Sequence, residues 1–402
     1  MNTSSTTIVS PRSALIPKLL GLGLFIRFMT DTSVQFFNPF LPIIAAGVGA
    51  DIITMGQLVS LRSFMGLGTP LFALLAHRWG KRPVMCVALL IGAAGLFLVG
   101  SSQQLWMVGV GMAVMGAGLF AFNPLLQAYI SDRLPYHIRG RGLGILEYAW
   151  ALAGIGGLYG VGLLISRGGW RLPFLVLGVG LVIGSAAVAL LLPPESSQER
   201  ALEEAEENNP DIAAGSRSGP GMRSVVSALT TIGLTLFAMN HVLIMFGEWL
   251  TQEYRLGPAE LGRAALVLGV ASLSGSILSS LLTDRLGKLR SMQLGAAGSL
   301  LAYALLPLFN LGVIPAVAAT AVTQFAFEFT LVSSIPLVSE QLPERRSHMM
   351  TMAVAAATLS NAVAALTGPW AYTTYGVWGL GSIAAASIFL SLLLMLFWIR
   401  ER

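Results

Sequence analysis

The chain alternates between long apolar stretches and short polar segments. A helix needs about 20 predominantly apolar residues to cross a bilayer, and twelve stretches are long enough to do so. They span residues 15–46, 54–76, 83–101, 105–130, 142–165, 170–192, 224–250, 261–283, 290–310, 313–338, 347–371 and 377–399. The pattern therefore predicts an all-α membrane protein with twelve transmembrane helices.

The longest polar interruption divides these segments into six and six. It reads PPESSQERALEEAEENNPDIAAGSRSGPG, which is acidic at first and then rich in Gly, Ser and Pro. Such a composition is typical of a solvated linker. We therefore expect an N-terminal six-helix bundle over 1–192, a cytoplasmic linker over 193–223 and a C-terminal six-helix bundle over 224–402.

The two predicted bundles share short sequence matches. HRWGKR at 77–82 corresponds to DRLGKL at 284–289, and SDRLP at 131–135 corresponds to SEQLP at 339–343. The matches occur in the same order and at nearly the same offset, which indicates an internal duplication. Repeated halves are the layout of many secondary transporters, whose solute site lies between the repeats near the middle of the membrane.

Composition excludes an ordinary soluble domain. Hydrophobic residues make up 55% of the chain and charged residues 11%, with a mean hydropathy of +0.74, whereas a soluble domain carries about 25% charged residues. The single cysteine, Cys86, excludes an intrachain disulfide framework and a cysteine-based metal site. The polar N-terminus lacks the apolar core of a signal peptide, so we expect the first segment to be retained as a helix.

The basic residues are distributed unevenly between the two predicted sides of the membrane. Of the 24 lysines and arginines, 18 fall on the side that holds both termini and the linker, four fall on the other side, and two lie within helices. The positive-inside rule places the basic side in the cytoplasm. We therefore expect a multi-pass protein of the plasma membrane, in a bacterium the inner membrane, and the charge of +5 does not indicate a nucleic-acid partner.

At these loops the chain resembles the major facilitator superfamily, and the resemblance covers essentially all of it. ALLAHRWGKR at 73–82 and SLLTDRLGKL at 280–289 are similar to the family's loop motif G-x-L-a-D-R-x-G-R-R/K, and GWRLPFLVLG at 169–178 is similar to the opening of its sixth helix. The resemblance implies two pseudo-symmetric six-helix bundles and transport by alternating access. His77 departs from the motif's Asp, whereas Asp284 keeps it. The stretch at 154–162 lacks the proline of the Gly-Pro signature that many antiporters of the family carry.

Four polar residues lie on one face of the first predicted helix. Arg27, Asp31, Gln35 and Asn38 follow the spacing i, i+4, i+8 and i+11, a stripe about 16 Å long at helical rise. A charge at the bilayer centre costs about 2.5–3.5 kcal/mol on insertion scales, so this face is expected to meet protein or water. Two interpretations remain open: a structural Arg27–Asp31 pair, or the lining of a solute and proton cavity.

A lone carboxylate, Glu328, lies in QFAFEFTLV of the tenth segment, one turn after Gln324. Burial without a cation favours the protonated form of a carboxyl group, so Glu328 is the first candidate for a proton carrier. Asp31, beside Arg27, is the second candidate and is expected to stay ionised. The alternative for Glu328 is an ion pair with Arg27 or Arg62 across the interface.

Several other intramembrane polar residues are candidates for the same cavity. Arg62 either attracts an anionic group, extends to the membrane surface or pairs with a carboxylate. His241 either titrates near neutral pH or forms a structural hydrogen bond, and Glu248 on the same face is more consistent with a solvated role than with a site. The predicted cavity set consists of Arg27, Gln35, Asn38, Arg62, Asn123, Gln127, His241 and Gln324.

Charged residues of the basic side are expected to form a gate. Glu147 is close to the predicted cytoplasmic end of the fifth segment, where it is expected to join Asp132, Arg139 or Arg82 rather than bind solute. The predicted gate set consists of His77, Arg78, Arg82, Asp132, Arg139, Glu147, Asp284, Arg285 and Glu340.

Motifs for other chemistry are missing from the sequence. It contains no G-x-x-x-x-G-K-[ST] phosphate loop, no zinc-ligand spacing and no G-x-S-x-G nucleophile elbow. We therefore expect a secondary transporter rather than an enzyme, acting as a monomer without a cofactor, with protons, a small solute and the lipid bilayer as its partners. Proton-coupled efflux of an amphipathic compound is the first hypothesis. A proton-linked importer of a small polar or anionic solute, and a non-transporting receptor with the same fold, are the alternatives.

Overall fold

A computed structural model describes residues 11–194, 222–339 and 346–399 of the chain, and in these ranges the protein is helical without β-strands. The α-helices are α1 Pro11–Gln35, α2 Phe37–Val48, α3 Ile52–Phe64, α4 Thr69–Trp79, α5 Lys81–Gly100, α6 Leu105–Arg133, α7 Tyr136–Leu152, α8 Leu158–Gly168, α9 Leu172–Leu191, α10 Met222–Tyr254, α11 Pro258–Leu286, α12 Lys288–Leu305, α13 Val313–Ser339 and α14 Arg346–Phe397. Short 3-10 turns cover Met65–Gly68 and Leu306–Phe309, and a π-helical turn at Ala153–Gly157 joins α7 to α8.

Ten helical stretches in the described ranges are long and apolar enough to cross a membrane. The predicted first segment is divided between α1 and α2 at Phe36. Pro39 and Pro42 follow this break, and because proline has no backbone N–H, regular helix cannot continue through them undisturbed. The last two predicted segments lie within α14, which leaves helical geometry at Gly376, where φ is 61°; glycine adopts such positive φ values without a steric penalty.

The helices define two ends of the molecule. The junctions α4–α5, α6–α7 and α11–α12 lie at the end that carries most of the basic loop residues, which we call the basic end. The junctions α2–α3, α8–α9 and α10–α11 lie at the other end, which we call the opposite end, because successive membrane-crossing helices alternate in direction. Most of the predicted linker lies outside the described residues, which we therefore treat as an N-terminal part (11–194) and a C-terminal part (222–399, except 340–345).

The two parts contact each other through α2 against α10, α3 against α14, and α8 against α11. Glycines permit the close approach, as they do in many membrane helix interfaces. A β-carbon on Gly247 would overlap the Pro39 carbonyl, and one on Gly56 would overlap the Ala365 carbonyl. These residues are nearer to the opposite end, so the two parts are packed together there.

The break between α1 and α2 is supported by an aromatic cluster. The ring of Phe36 lies 4.5 Å from that of Phe37 and 4.9 Å from that of Phe174 on α9, measured between centroids. All three side chains are fully buried. The Phe36–Phe37 pair is tilted and the Phe36–Phe174 pair is edge-on. Aromatic contacts at these distances add to the stabilisation from burial, so the junction that carries Gln35 and Asn38 has a fixed position in the core.

Candidate functional site

The charged residues of α1 form a network with α6 and α7. Both Oε atoms of Glu147 accept hydrogen bonds from the Arg27 guanidinium at 2.7 Å, and Arg27 Nε lies 3.4 Å from Asp31 Oδ2. Arg27 is 6% exposed and Asp31 1% exposed, whereas the Glu147 side chain is 56% exposed. One buried cation therefore holds two carboxylates, one in the protein interior and one open to its surroundings.

Two amides of α6 complete this network. Asn123 Nδ2 donates to Asp31 Oδ1 at 3.0 Å, and Gln127 Nε2 donates to Glu147 Oε1 at 2.8 Å. Thr30 Oγ1 donates to Asn123 Oδ1 at 3.3 Å. The predicted cavity candidates Asn123 and Gln127 are thus brought next to Arg27 and Asp31, and both amides orient carboxylates.

The structure corrects the predicted partners of Glu147. The sequence grouped it with Asp132, Arg139 or Arg82 because it lies near the start of the fifth predicted segment. Instead, α1 and α7 pack together, and this contact brings Glu147 to Arg27, 120 residues earlier. The side chain of Arg139 lies outside the described residues.

Glu328 on α13 is buried and is held by two serine hydroxyls of α11. Ser272 Oγ donates to Oε1 at 2.7 Å, and Ser276 Oγ donates to Oε2 at 3.3 Å. Within the described part of the chain it forms no ion pair, so the alternative of a pair with Arg27 or Arg62 is not realised. The two serines, one helical turn apart on α11, were missed by the sequence analysis because serine is common in membrane helices without a special role.

A cavity lies between the N-terminal and C-terminal parts, with a volume of about 50 Å³. Its lining combines apolar side chains with a few uncharged polar ones. Among the lining residues are Gln35, Asn38, Trp150, Leu243, Phe246, Ser272 and Gln324. One water needs about 10–15 Å³ of such volume, so the cavity in this conformation holds a few waters.

Three of the predicted cavity residues, Gln35, Asn38 and Gln324, line this central cavity. Gln35 Nε2 also donates to the Trp150 carbonyl at 3.0 Å, across from α1 to α7. Ser272 lines the cavity and donates to Glu328, so one hydroxyl separates the buried carboxylate from the central space. The sequence did not indicate Trp150 or Ser272, because their relation to the cavity depends on which helices face each other.

Arg62 fits neither of the two structural interpretations that the sequence allowed, extension to the membrane surface or an ion pair with a carboxylate. It is 2% exposed, so it does not extend to the membrane surface, and it forms no ion pair with a carboxylate of the described residues. Its Nη1 donates to the Val34 carbonyl at 3.2 Å, and its guanidinium lies 4.6 Å from the centroid of the Phe37 ring. Arg62 thus contacts both sides of the break between α1 and α2 and does not line the central cavity.

His241 lies away from the central cavity as well. Its Nδ1 is 3.1 Å from Thr367 Oγ1 on α14, and its ring lies 5.3 Å from that of Phe237, with no exposed surface. This geometry agrees with the interpretation as a structural hydrogen bond. Glu248, for which a solvated role was favoured, is only 8% exposed.

At the basic end the structure describes part of the predicted gate set. Lys81 Nζ lies 3.0 Å from Asp132 Oδ2, whereas the Arg82 guanidinium donates to the Ala189 carbonyl. Successive residues of a helix point about 100° apart, so Lys81 faces α6 and Arg82 faces α9. The pairing of Asp132 with Lys81 was not among the predicted gate contacts.

Three further gate candidates, His77, Arg78 and Arg285, are exposed at this end. Glu340 lies outside the described residues, and so does the side chain of Asp284. A latch between these residues therefore stays a prediction. In the described part of the chain, no group of three or more His, Cys, Asp and Glu residues is arranged to hold a metal ion.

Comparisons with a family model and with individual proteins point to the same family. The family model described as Major Facilitator Superfamily matches residues 23–327 and 228–402. The "Uncharacterized MFS-type transporter YwfA" of Bacillus subtilis (strain 168) is 24% identical over 387 residues, which cover 95% of this chain and 92% of that protein. The "Chloramphenicol resistance protein" of Streptomyces lividans is 27% identical over 379 residues, covering 89% and 91%.

Solved structures share the fold. The inward open conformation of the xylose transporter XylE from E. coli superposes with a TM-score of 0.75 at 17% identity, covering 96% of this chain and 97% of that one. At this identity the likeness concerns the fold alone. With the family model matched along nearly the whole chain, the protein belongs to the major facilitator superfamily of membrane transporters.

Proposed function

We propose that the protein exports a small amphipathic organic compound in exchange for protons. The observation that carries this proposal is the lining of the central cavity: it is apolar and aromatic, with amides and one serine hydroxyl but no charged side chain. Such a lining suits a solute with a large apolar surface and a few hydrogen-bonding groups.

Alternating access is the proposed means of transport. The two parts are packed together at the opposite end through the Gly247–Pro39 and Gly56–Ala365 contacts. The positive-inside rule supports a cytoplasmic basic end, and with that orientation this conformation is closed to the outside. Rocking the two parts about the cavity would open the opposite end and close the basic end.

The charges near the cavity support an uncharged solute over an anionic one. Arg27 is engaged by both Asp31 and Glu147, and Arg62 is buried beside Phe37 outside the cavity. Neither guanidinium is available to an anion in this arrangement. The alternative of a proton-linked importer of an anionic solute therefore lacks a cation at the cavity wall.

Glu328 is the proposed proton carrier. It is buried without an ion pair among the described residues, and its hydrogen-bond partner Ser272 lines the cavity. One proton moving down a membrane potential of 100 mV supplies about 2.3 kcal/mol, enough to drive useful accumulation.

Export is supported by the similarity to the chloramphenicol resistance protein of Streptomyces lividans, which also suggests a probe. In proteoliposomes with an imposed pH gradient, we expect the protein to move chloramphenicol against its concentration gradient. Glu328→Gln should abolish this gradient-driven movement while solute exchange without a gradient continues.

The matched control is Glu253→Gln, the same change at an exposed position of α10. It should leave gradient-driven transport intact. If Glu328→Gln responded to the pH gradient as the original protein does, Glu328 would not carry the proton. If a broad panel of uncharged amphipathic compounds, chloramphenicol included, were neither bound nor moved, the proposed solute class would be rejected.

A further inference from the structure

A second pocket lies at the opposite end, separate from the central cavity. Its volume is about 480 Å³, and it shares no lining residue with the central cavity. Residues 42–52 of α2 and α3 form one wall, and residues 248–252 of α10 form the other. We call it the outer pocket. An occupant would contact the N-terminal and the C-terminal part at the same time.

The α10 wall of the outer pocket carries a largely buried carboxylate. Glu248 is 8% exposed, and its Oε1 accepts a hydrogen bond from Gln252 Nε2 at 3.0 Å. Its other oxygen has no hydrogen-bond partner among the described residues. A hydrogen bond between this carboxylate and a charged N–H donor of a ligand would be stabilising.

Thr251, three residues after Glu248, belongs to the same wall. Thr251 Oγ1 is buried and has no hydrogen-bond partner in the described part of the chain, although Thr251 lines the pocket. Most buried hydroxyls in proteins are hydrogen-bonded. The Thr251 hydroxyl oxygen has almost no accessible surface, so a ligand in the pocket does not reach it, and the Glu248 carboxylate is the acceptor that a ligand would meet.

The rim of the outer pocket is also negative. Asp51 caps the N-terminus of α3, where its carboxylate accepts from the Thr54 N–H at 2.8 Å and from the Thr54 hydroxyl at 2.9 Å. These hydrogen bonds, chiefly that from the backbone N–H, lower the pKa of Asp51, so it is ionised at neutral pH. No lysine or arginine lines the pocket.

The rest of the lining is apolar, with Pro42, Ile43 and Ile52 among it. A hard metal cation such as Ca²⁺ requires about six to eight oxygen ligands, which this lining does not offer. An organic ammonium ion needs only a few acceptors and has an apolar body. The volume lies within the range of about 300–1,000 Å³ typical of small-molecule pockets.

We propose that the outer pocket binds a small amphipathic amine. Its ammonium group donates to the Glu248 carboxylate, and its apolar body lies against Pro42, Ile43 and Ile52. Because both parts of the protein contribute to the pocket, the amine binds the conformation in which the opposite end is closed. The site is distinct from the proposed export cavity and does not depend on the proposed function.

The test uses 2-phenylethylamine, with the uncharged 2-phenylethanol as its neutral counterpart, and measures the thermal unfolding of the purified protein. A ligand that binds only the folded protein raises the melting temperature. We expect the amine to raise it in a saturable manner and the alcohol to leave it unchanged. Glu248→Gln should weaken the apparent affinity by about tenfold or more, since a charge-assisted hydrogen bond is lost.

Two further variants separate binding from folding. Glu253→Gln makes the same change on α10 outside the pocket and should bind as the original protein does. Ala46→Trp fills the pocket from an exposed position and should abolish the shift with Glu248 intact. An equal shift with the alcohol, no shift with the amine, or an undiminished shift in both Glu248→Gln and Ala46→Trp would overturn the proposal. The export proposal is tested with chloramphenicol and Glu328→Gln, whereas these measurements use the amine and the pocket variants, so a failure of either proposal is seen separately.

Discussion

The guanidinium of Arg27 is held by both carboxylate oxygens of Glu147 at 2.7 Å, although the two residues are 120 positions apart. Such a bidentate pair is among the stronger polar contacts in proteins and fixes orientation as well as charge. Because Arg27 also lies beside Asp31, it joins a buried carboxylate to one that is half exposed. Movement of α7 relative to α1 would therefore change the charge balance around Asp31.

The first prediction concerns the stability of this network. Arg27→Ala should lower the free energy of unfolding by roughly 3–5 kcal/mol, because it leaves the buried Asp31 without a cation. Glu147→Ala should cost only about 1 kcal/mol, since its exposed side chain is screened by solvent. Arg27→Ala combined with Asp31→Ala should recover part of the loss. Unfolding of the purified variants measures all three.

A control for this series is Arg263→Ala, which breaks an exposed Arg263–Glu260 pair of 3.3 Å with an Arg263 side chain that is 65% exposed. It should change stability by less than about 1 kcal/mol. Losses of the same size for Arg27→Ala and Arg263→Ala would show that the buried network contributes no special stability.

The second prediction concerns Arg62, a buried cation without an anionic partner among the described residues. Arg62→Met removes the desolvated charge at similar volume, so the free energy of unfolding should rise or fall by less than about 1 kcal/mol. Transport should nevertheless decrease, because the guanidinium no longer joins the Val34 carbonyl to Phe37, and this junction positions Gln35 and Asn38. Melting temperature and transport rate are measured on the same preparation. Strong destabilisation would mean that the contacts of Arg62 with the Val34 carbonyl and the Phe37 ring outweigh the cost of burying its charge.

The third prediction concerns the packed opposite end. Gly247→Ala would place a methyl group against the Pro39 carbonyl, and overpacking of this kind costs about 1–3 kcal/mol. The conformation closed at this end should therefore become about tenfold or more less populated relative to the open one. Labelling of a cysteine at Leu243, in a Cys86→Ser background, by a membrane-impermeant maleimide from the opposite side should increase.

Gly144→Ala is the matched control for Gly247→Ala, because a β-carbon at Gly144 meets no atom within 4 Å. It should leave labelling at Leu243 unaltered. Equal labelling in both glycine variants would indicate that the Gly247–Pro39 contact does not control access to the cavity.

The fourth prediction concerns the cavity amide of Gln324. Gln324→Leu keeps the shape of the side chain but removes its hydrogen-bonding groups, so affinity for an uncharged solute with polar groups should fall about threefold to tenfold. Binding of chloramphenicol, measured by thermal shift, provides the readout. Gln57→Leu, at an exposed position of α3, makes the same change away from the cavity and should have no effect. An unaltered affinity in Gln324→Leu would remove this amide from the binding site.

Hydropathy and charge along the chain were enough to predict the helical membrane fold, because it depends on local composition. The resemblance to the family came instead from the loop motifs at 73–82 and 280–289. Ten of the helical stretches in the described ranges meet the length and hydropathy of a membrane span. The polar stripe of Arg27, Asp31, Gln35 and Asn38 was also predictable, since a helical face is defined by spacing alone. Two of its members line the cavity, and the other two enter the charged network.

The partners of these side chains were decided only by the tertiary structure. Glu147 reaches Arg27, Ser272 reaches Glu328 and Arg62 lies on Phe37 because of how each helix is rotated and shifted against its neighbours, which spacing within one helix does not specify. The outer pocket depends in the same way on the contact of α2 with α10. The sequence by itself determined which residues are too polar to face lipid, and the packing of the helices determined what each of them meets instead.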